Sequence, residues 1–327
     1  MSSIFDVLPG IEVPVGEISK RLARMWADTA AEGGTAPNPD DAKATQVNFV
    51  LHLGFQTTAE DAAAQFQTLV KFSRRYPCRT VVLCPQSDAE DKGSMEIRAK
   101  IYGECHTGKS KSDKRCVEFV MLNYSKAARG FLENQVSISL STDLPLYYWA
   151  HRFSASSKLA DYGYLLSRAK RVLLDSAIAP ADALTYPWPN PAALSDLVYA
   201  RLLPVRQAVG QFIAGFTPQV ITDGLKRVVV SHGKDLSAEA RVLSGWLQSR
   251  LAACGAENVG FELKVAADRT LAIDFDYANA DKKFHWLGDL GKGHAHFVGN
   301  LNGTPSELST SMSLLPSDTA LSEAMFF

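Results

Sequence analysis

The feature that most constrains the fold is a strand–helix–strand phrase early in the chain. QVNFVLHL, from Gln46, is an apolar run of strand length. DAAAQFQTLVKFSRRY then sets Ala62, Phe66, Leu69, Val70 and Ser73 on one helical face, and RTVVLC, closed by Pro85, is a second short apolar strand. The pattern returns later. SKLADYGYLLSRA leads into the strand RVLLDS, and the helix LSAEARVLSGWLQSRLAAC, with a cap at Ser237 and an end at Gly255, follows the strand KRVVVSH. Strand–helix–strand order in both halves predicts an α/β chain with two α/β lobes, supplemented by antiparallel hairpins and a meander.

The boundaries follow from composition shifts. Residues 1–45 read as an amphipathic helix (VGEISKRLARMWADTA) and a linker, AEGGTAPNPDD. Residues 46–165 form an N-terminal α/β domain, 166–300 a C-terminal α/β domain, and 301–327 a tail whose AMFF is expected to pack back on the body. Within the first domain a helix around SKAARGFLEN precedes two expected strands, QVSISLS and LPLYYWAH. Within the second, VGFELKV, LAIDFDYA and KKFHWL alternate with turns between them, as in an antiparallel meander.

Composition narrows the class. A chain of 327 residues with 46% apolar and 21% charged residues is that of a globular protein, and a net charge of −1 gives no general attraction to nucleic acid or an anionic membrane. No apolar run approaches the ~18 residues needed to span a bilayer. The first residues lack a basic region followed by an apolar core, so no secretion signal is read. Five cysteines, with no Cys-x-x-Cys, suit a reducing cytoplasm.

GECHTGKS, residues 103–110, fits the spacing of a phosphate-binding loop. Its flanks do not. MEIRAKIY carries Glu96, Arg98 and Lys100 on one strand face, whereas the strand before a phosphate loop is buried on both. After Ser110 come Lys111, Ser112, Asp113, Lys114 and Arg115 and then CVEFVML, a strand-like run with no helical spacing. The segment therefore reads as a β-hairpin with the loop HTGKSKSDK. An enzyme acting on a nucleotide or sugar phosphate, with Lys109 or the Asp175–Ser176 strand end in its site, stands as the rival class.

Other constellations carry less. Cys78 and Cys84 flank one strand and lie ~20 Å apart in extended chain, too far to bond. Cys105 and Cys116 sit on either side of the hairpin loop, either as a redox pair or as small buried residues. His285, Asp289, His294 and His296 match no metal-ligand spacing and read as a polar surface. Asp175 and Ser176 end a strand and read as turn caps. No nucleophile elbow and no dinucleotide-binding glycine loop is present, so no catalytic residue and no cofactor is assigned. LYYWAHRF collects Tyr147, Tyr148, Trp149 and Arg152, types enriched at interface hot spots, and alternation is expected to leave some of them exposed.

Taken in order, several phrases resemble the OpcA-type glucose-6-phosphate dehydrogenase assembly proteins. They are RRYPCRTVVLCP, the strands holding Cys105 and Cys116, DLPLYYWAHR, SRAKRVLLDSA, LSDLVYARLLPVRQAVGQF and LSGWLQSRL, and they cover about residues 15–265. The resemblance implies a non-catalytic, cytoplasmic partner of glucose-6-phosphate dehydrogenase, the first enzyme of the oxidative pentose phosphate pathway, that activates it allosterically by promoting its assembled form. It implies a contact surface formed by Tyr147, Tyr148, Trp149 and Arg152 together with Arg201 and Arg206, and a thiol link through Cys105 and Cys116.

Overall fold

The computed structural model describes residues 3–37, 45–87, 90–91, 93–107, 114–266 and 269–327. It contains two compact units, residues 1–196 with 324–327 and residues 197–323.

The first unit runs β1 (Ile11–Val13), α1 (Ile18–Ala31), β2 (Val47–Leu53), α2 (Ala59–Arg75), β3 (Cys78–Pro85), β4 (Ile97–Thr107), β5 (Lys114–Tyr124), α3 (Arg129–Ser139), β6 (Leu146–His151), α4 (Gly163–Arg168), β7 (Ala169–Leu174) and β8 (Leu194–Asp196). Its sheet has the order β1-β4-β5-β3-β2-β6-β7-β8. β2, β3, β5, β6, β7 and β8 are mutually parallel, and β4 runs antiparallel to both of its neighbours, β5 and the edge strand β1. The chain lays β3 and β5 on one side of β2, then returns to place β6, β7 and β8 on the other. This is a doubly wound arrangement whose direction reverses between β2 and β6.

α2 forms where expected. Its first turn carries Glu60 and Asp61, its last Arg74 and Arg75, and the Thr58 hydroxyl caps it by accepting from the Asp61 amide. Its Phe66 and Phe72 meet Phe119 and Phe49 at ring separations of 5.0 and 5.7 Å. On the other face Leu132 and Val136 of α3 join Val50, Val81, Leu122 and Tyr148 in one core.

Three expectations are corrected here. QVSISLS is not a strand, because Leu132 and Val136 lie four apart and both bury, so the helix runs on to Ser139. The strand Ala169–Leu174, expected to open the second domain, pairs in parallel with β6, and the first unit extends to Asp196. Ser237 is the first residue of its helix rather than the cap, because a turn at 234–236 leads into it.

The second unit runs α5 (Leu197–Arg201), α6 (Leu203–Ile213), α7 (Pro218–Thr222), β9 (Leu225–His232), α8 (Ser237–Ala253), β10 (Gly260–Val265), β11 (Thr270–Tyr277), β12 (Lys283–Asp289), β13 (His294–Asn300) and β14 (Ser306–Ser311). α9 (Ser317–Phe326) begins in this unit, and its last residues count with the first. The sheet order is β10-β9-β11-β12-β13-β14. β11 to β14 form an antiparallel meander, but VGFELKV does not join it as expected. α8 crosses over from β9 and returns the chain parallel to it, so β10 pairs with β9. Leu243, Leu247 and Leu251 of α8 cover Val228, Val230, Ile273 and Trp286. In the tail, Phe326 lies against Tyr76 and Tyr147 of the first unit, 4.9 and 5.6 Å between rings.

A histidine sits at the centre of the first sheet. His52 is fully buried, with Nδ1 2.7 Å from the Tyr148 hydroxyl and Nε2 2.6 Å from that of Tyr124, which in turn lies 2.7 Å from the Tyr162 hydroxyl. A neutral imidazole donates through one nitrogen and accepts through the other, so both contacts are satisfied. Burial first, then the Arg129 charge, lowers its pKa to about 3. A folded pKa below the unfolded one means that the unfolded chain takes up the proton first. Stability is therefore expected to fall as pH drops below about 6.5, by ~1.4 kcal/mol per unit, until His52 titrates near 3. Urea unfolding between pH 7 and 4 measures this slope. His52→Phe should flatten the slope by one proton while costing ~1–3 kcal/mol at pH 7, because a tyrosine hydroxyl loses its partner.

Candidate functional site

In an open α/β sheet the ligand crevice lies beyond the carboxyl ends of the strands at the reversal point. Here that point lies after Leu53 and His151. Gly54 follows β2 and donates its amide to the His151 carbonyl at 2.6 Å. A Cβ at Gly54 would collide with the Arg152 carbonyl, so only glycine lets the two backbones meet. α2 starts from the same corner and points Asp61 into it. The Asp61 carboxylate accepts from His151 Nε2 at 2.7 Å and from Arg152 Nε at 2.5 Å, both at Oδ2, and from Gln65 through Oδ1 at 3.1 Å.

Burial alone would raise the Asp61 carboxyl, but the hydrogen bonds from His151 and Gln65 and the neighbouring charges outweigh it and hold it below the usual range. His151 is 2% exposed, and its burial outweighs the pull of Asp61 and lowers its pKa. At pH 7 His151 is thus a neutral donor, and Arg152 supplies the charge that balances Asp61. Arg152 adopts φ 50°, a left-handed conformation that its ion pair helps to hold. Three polar atoms around this corner are buried without a protein partner, the Thr57 hydroxyl, Trp149 Nε1 and His151 Nδ1. The arrangement fills the crevice with the chain's own carboxylate, histidine and arginine.

The remaining expected residues fall elsewhere. Tyr147, Tyr148 and Trp149 do not form a surface. β6 has parallel neighbours on both sides and helices over both faces, so all six of its residues are buried. Arg152, just past its end, keeps a side-chain exposure of 37%. Arg201 Nε pairs with the buried Glu239 at 2.8 Å, and the Arg206 guanidinium stacks 3.6 Å from the Tyr199 ring centroid. These two arginines belong to the second unit.

Cys105 and Cys116 are directly paired across β4 and β5 and form a disulfide. Glu104, beside it, accepts from Arg74 at 2.8 Å, from the Tyr102 hydroxyl at 3.0 Å, and lies 2.8 Å from His106 Nε2. Cys78 and Cys84 are buried thiols, Cys78 pushed up by burial to about 12.

Gly108, Lys109 and Ser110 lie outside the described residues, but the hairpin around them is formed, with Thr107 opposite Lys114. Gly103 has a packing reason of its own: a Cβ there would meet the Trp26 ring at 2.6 Å, where α1 crosses β4. Asp175 caps its own turn by accepting from the Ala177 amide. Asp196, which the sequence reading missed, accepts from the Ser176 amide and hydroxyl. His285 pairs with Asp274 at 2.6 Å, and His296 with Ser309 and Glu307. Among the described residues no group of three or more His, Cys, Asp or Glu could hold a metal, and no helix is long and apolar enough to cross a membrane. Asp61 itself gave no sequence signal beyond its place in the first turn of a helix, because His151 and Arg152 lie 90 and 91 residues away.

The corner makes a stability prediction. Asp61→Ala strands the buried His151 donor and should cost ~2 kcal/mol. Arg152→Ala, whose partner keeps His151 and whose guanidinium is partly solvated, should cost less than ~1 kcal/mol. Chemical denaturation of the two variants checks the order.

Against known families, residues 70–186 match the model of the glucose-6-phosphate dehydrogenase subunit N-terminal domain, which takes in the end of α2 and the elements from β3 to β7. No curated protein matches the chain. Residues 70–186 are thus similar to the OpcA-type glucose-6-phosphate dehydrogenase assembly family.

Proposed function

We propose that the chain is a non-catalytic assembly factor that binds glucose-6-phosphate dehydrogenase in the cytoplasm and activates it allosterically by favouring its active oligomer. The family match over residues 70–186 carries this reading. The filled crevice supports it, since Asp61, His151 and Arg152 occupy the corner where an enzyme of this architecture would hold its ligand. A binder that prefers the active form shifts the population by its differential affinity, and a tenfold activation needs only ~1.4 kcal/mol of coupling.

With Tyr147, Tyr148 and Trp149 buried, the contact is assigned to another part of the matched segment. Phe131 and Ile138 stand seven residues apart on one side of α3 and are 52% and 69% exposed. Large apolar side chains so placed are suited to burial against a partner. NADPH formation by glucose-6-phosphate dehydrogenase from the same source, assayed with and without this protein, tests the function. The rate or the apparent glucose 6-phosphate affinity should rise and saturate at a fixed molar ratio. Phe131→Ser with Ile138→Ser should lose most of the effect without loss of fold. No activation, together with no co-elution on a sizing column, overturns the proposal.

The Cys105–Cys116 disulfide favours a second element, control by thiol state. A dithiol such as dithiothreitol would reduce the bond to two thiols and itself be oxidised to a disulfide, releasing the end of the β4–β5 hairpin. Activation should then differ between oxidised and reduced protein. Redox sensitivity that persists in the Cys105→Ser, Cys116→Ser double variant would rule these thiols out as its source.

A further inference from the structure

The second unit contains a cleft of about 840 Å³ at the end of its sheet where β9 and β12 begin and β11 and β13 finish, closed on one side by α7 and the turn after α8. Its size is that of a small-molecule site, ~300–1,000 Å³. Its lining is not that of an apolar pocket. Asn279, Asn300 and Asn302 line it together with Asp223, Glu257 and Asp281.

The hydrogen-bonding roles of these amides are set by the surrounding chain. Asn279 and Asn302 each use their carbonyl oxygen to cap a turn, on the Asp281 and Thr304 amides at 3.0 and 3.2 Å. This leaves their NH₂ groups as donors. Asn300 is oriented the other way. Its NH₂ donates to the Asp281 carbonyl at 2.8 Å, and its Oδ1 is buried without a partner. A buried acceptor left empty costs free energy, so a group that donates to it gains more than an exposed contact would.

The cleft's charge selects further. It carries three carboxylates and one ammonium, and that ammonium, Lys282 Nζ, is held by the Asp223 carbonyl at 2.7 Å and lies over the Tyr277 ring at 4.5 Å. The net negative field opposes a phosphate or carboxylate ligand. A ligand suited to donors beside acceptors, with no charge of its own, is one rich in hydroxyl groups, since each hydroxyl both donates and accepts.

We propose that this cleft is a binding site for a neutral saccharide, with Asn300 Oδ1 accepting from a sugar hydroxyl, the NH₂ groups of Asn279 and Asn302 donating to its oxygens, and the carboxylates excluding the phosphate ester. The site is separate from the contact assigned to α3.

Saturation-transfer difference NMR on the full chain tests this, with glucose, maltose and trehalose as probes at millimolar concentration and glucose 6-phosphate as the charged comparison. Transfer to the ring protons of at least one neutral sugar is expected, with the phosphate ester weaker by about tenfold or more. Asn302→Trp, an exposed position from which an indole fills the cleft, should abolish transfer while the circular dichroism spectrum stays that of the folded chain, with a lower melting temperature from the lost cap on the Thr304 amide. Asn300→Ala should weaken binding by about tenfold. No transfer to any of the three sugars, equal binding of glucose 6-phosphate, or an undiminished signal in Asn302→Trp would each overturn the assignment.

Discussion

The first unit depends on a strand that has no surface. β2 is hydrogen-bonded to parallel neighbours along both edges, and all seven of its side chains are buried. In such a position every polar group must find its partner inside the protein. β2 carries two, and both reach toward β6. Near its start Asn48 donates to the carbonyls of Ser141 and Leu144 and accepts from the Ser141 amide, which holds the loop that feeds β6. Near its end His52 ties Tyr148 of β6 to Tyr124 of β5. Two polar residues in an otherwise apolar run thus tie β2 to the loop that feeds β6, to β6 itself and to β5, and substituting either would leave buried groups unpaired.

The reversal of winding at β2 and β6 opens a corner that other α/β proteins give to a ligand. Here the corner is taken by Asp61, whose carboxylate binds the two residues at the end of β6. The costs are a partly buried carboxylate and a left-handed arginine; the offsets are three charge-assisted or neutral hydrogen bonds to one side chain and a cap at the start of a seventeen-residue helix. A self-filled corner suits a protein whose proposed work is done by its surface rather than by a reaction centre.

The second unit solves its packing differently. One crossover, β9 through α8 to β10, supplies the helix that covers the core, and the rest of the sheet is a meander whose turns are short. The meander's turns at one end bring the asparagines together, so the polar cleft is a by-product of strand connectivity that side-chain chemistry has shaped.

Much of the architecture was legible in local pattern. The α/β class, the long helices α2 and α8, the apolar strands β2, β3, β7 and β9, and the hairpin hidden in a phosphate-loop spacing were all readable. Periodicity and run length are properties of neighbouring residues, and a hairpin needs only its own two strands. Other features were decided by contacts that no local window contains. LYYWAHRF looked like a surface because its residue types favour interfaces; it became core because β6 gained parallel neighbours on both edges. QVSISLS alternates like a strand, yet Leu132 and Val136 had a core to bury in only as a helix. β10 had the pattern of a meander strand and was drawn to β9 by the crossover helix. Asp61 had nothing to mark it, since His151 and Arg152 lie some ninety residues on. The sequence by itself thus determined which segments become helices and strands and how apolar each is. Only the tertiary structure decided which strands are covered on both faces and which polar groups meet, because those depend on pairings between residues far apart in the chain.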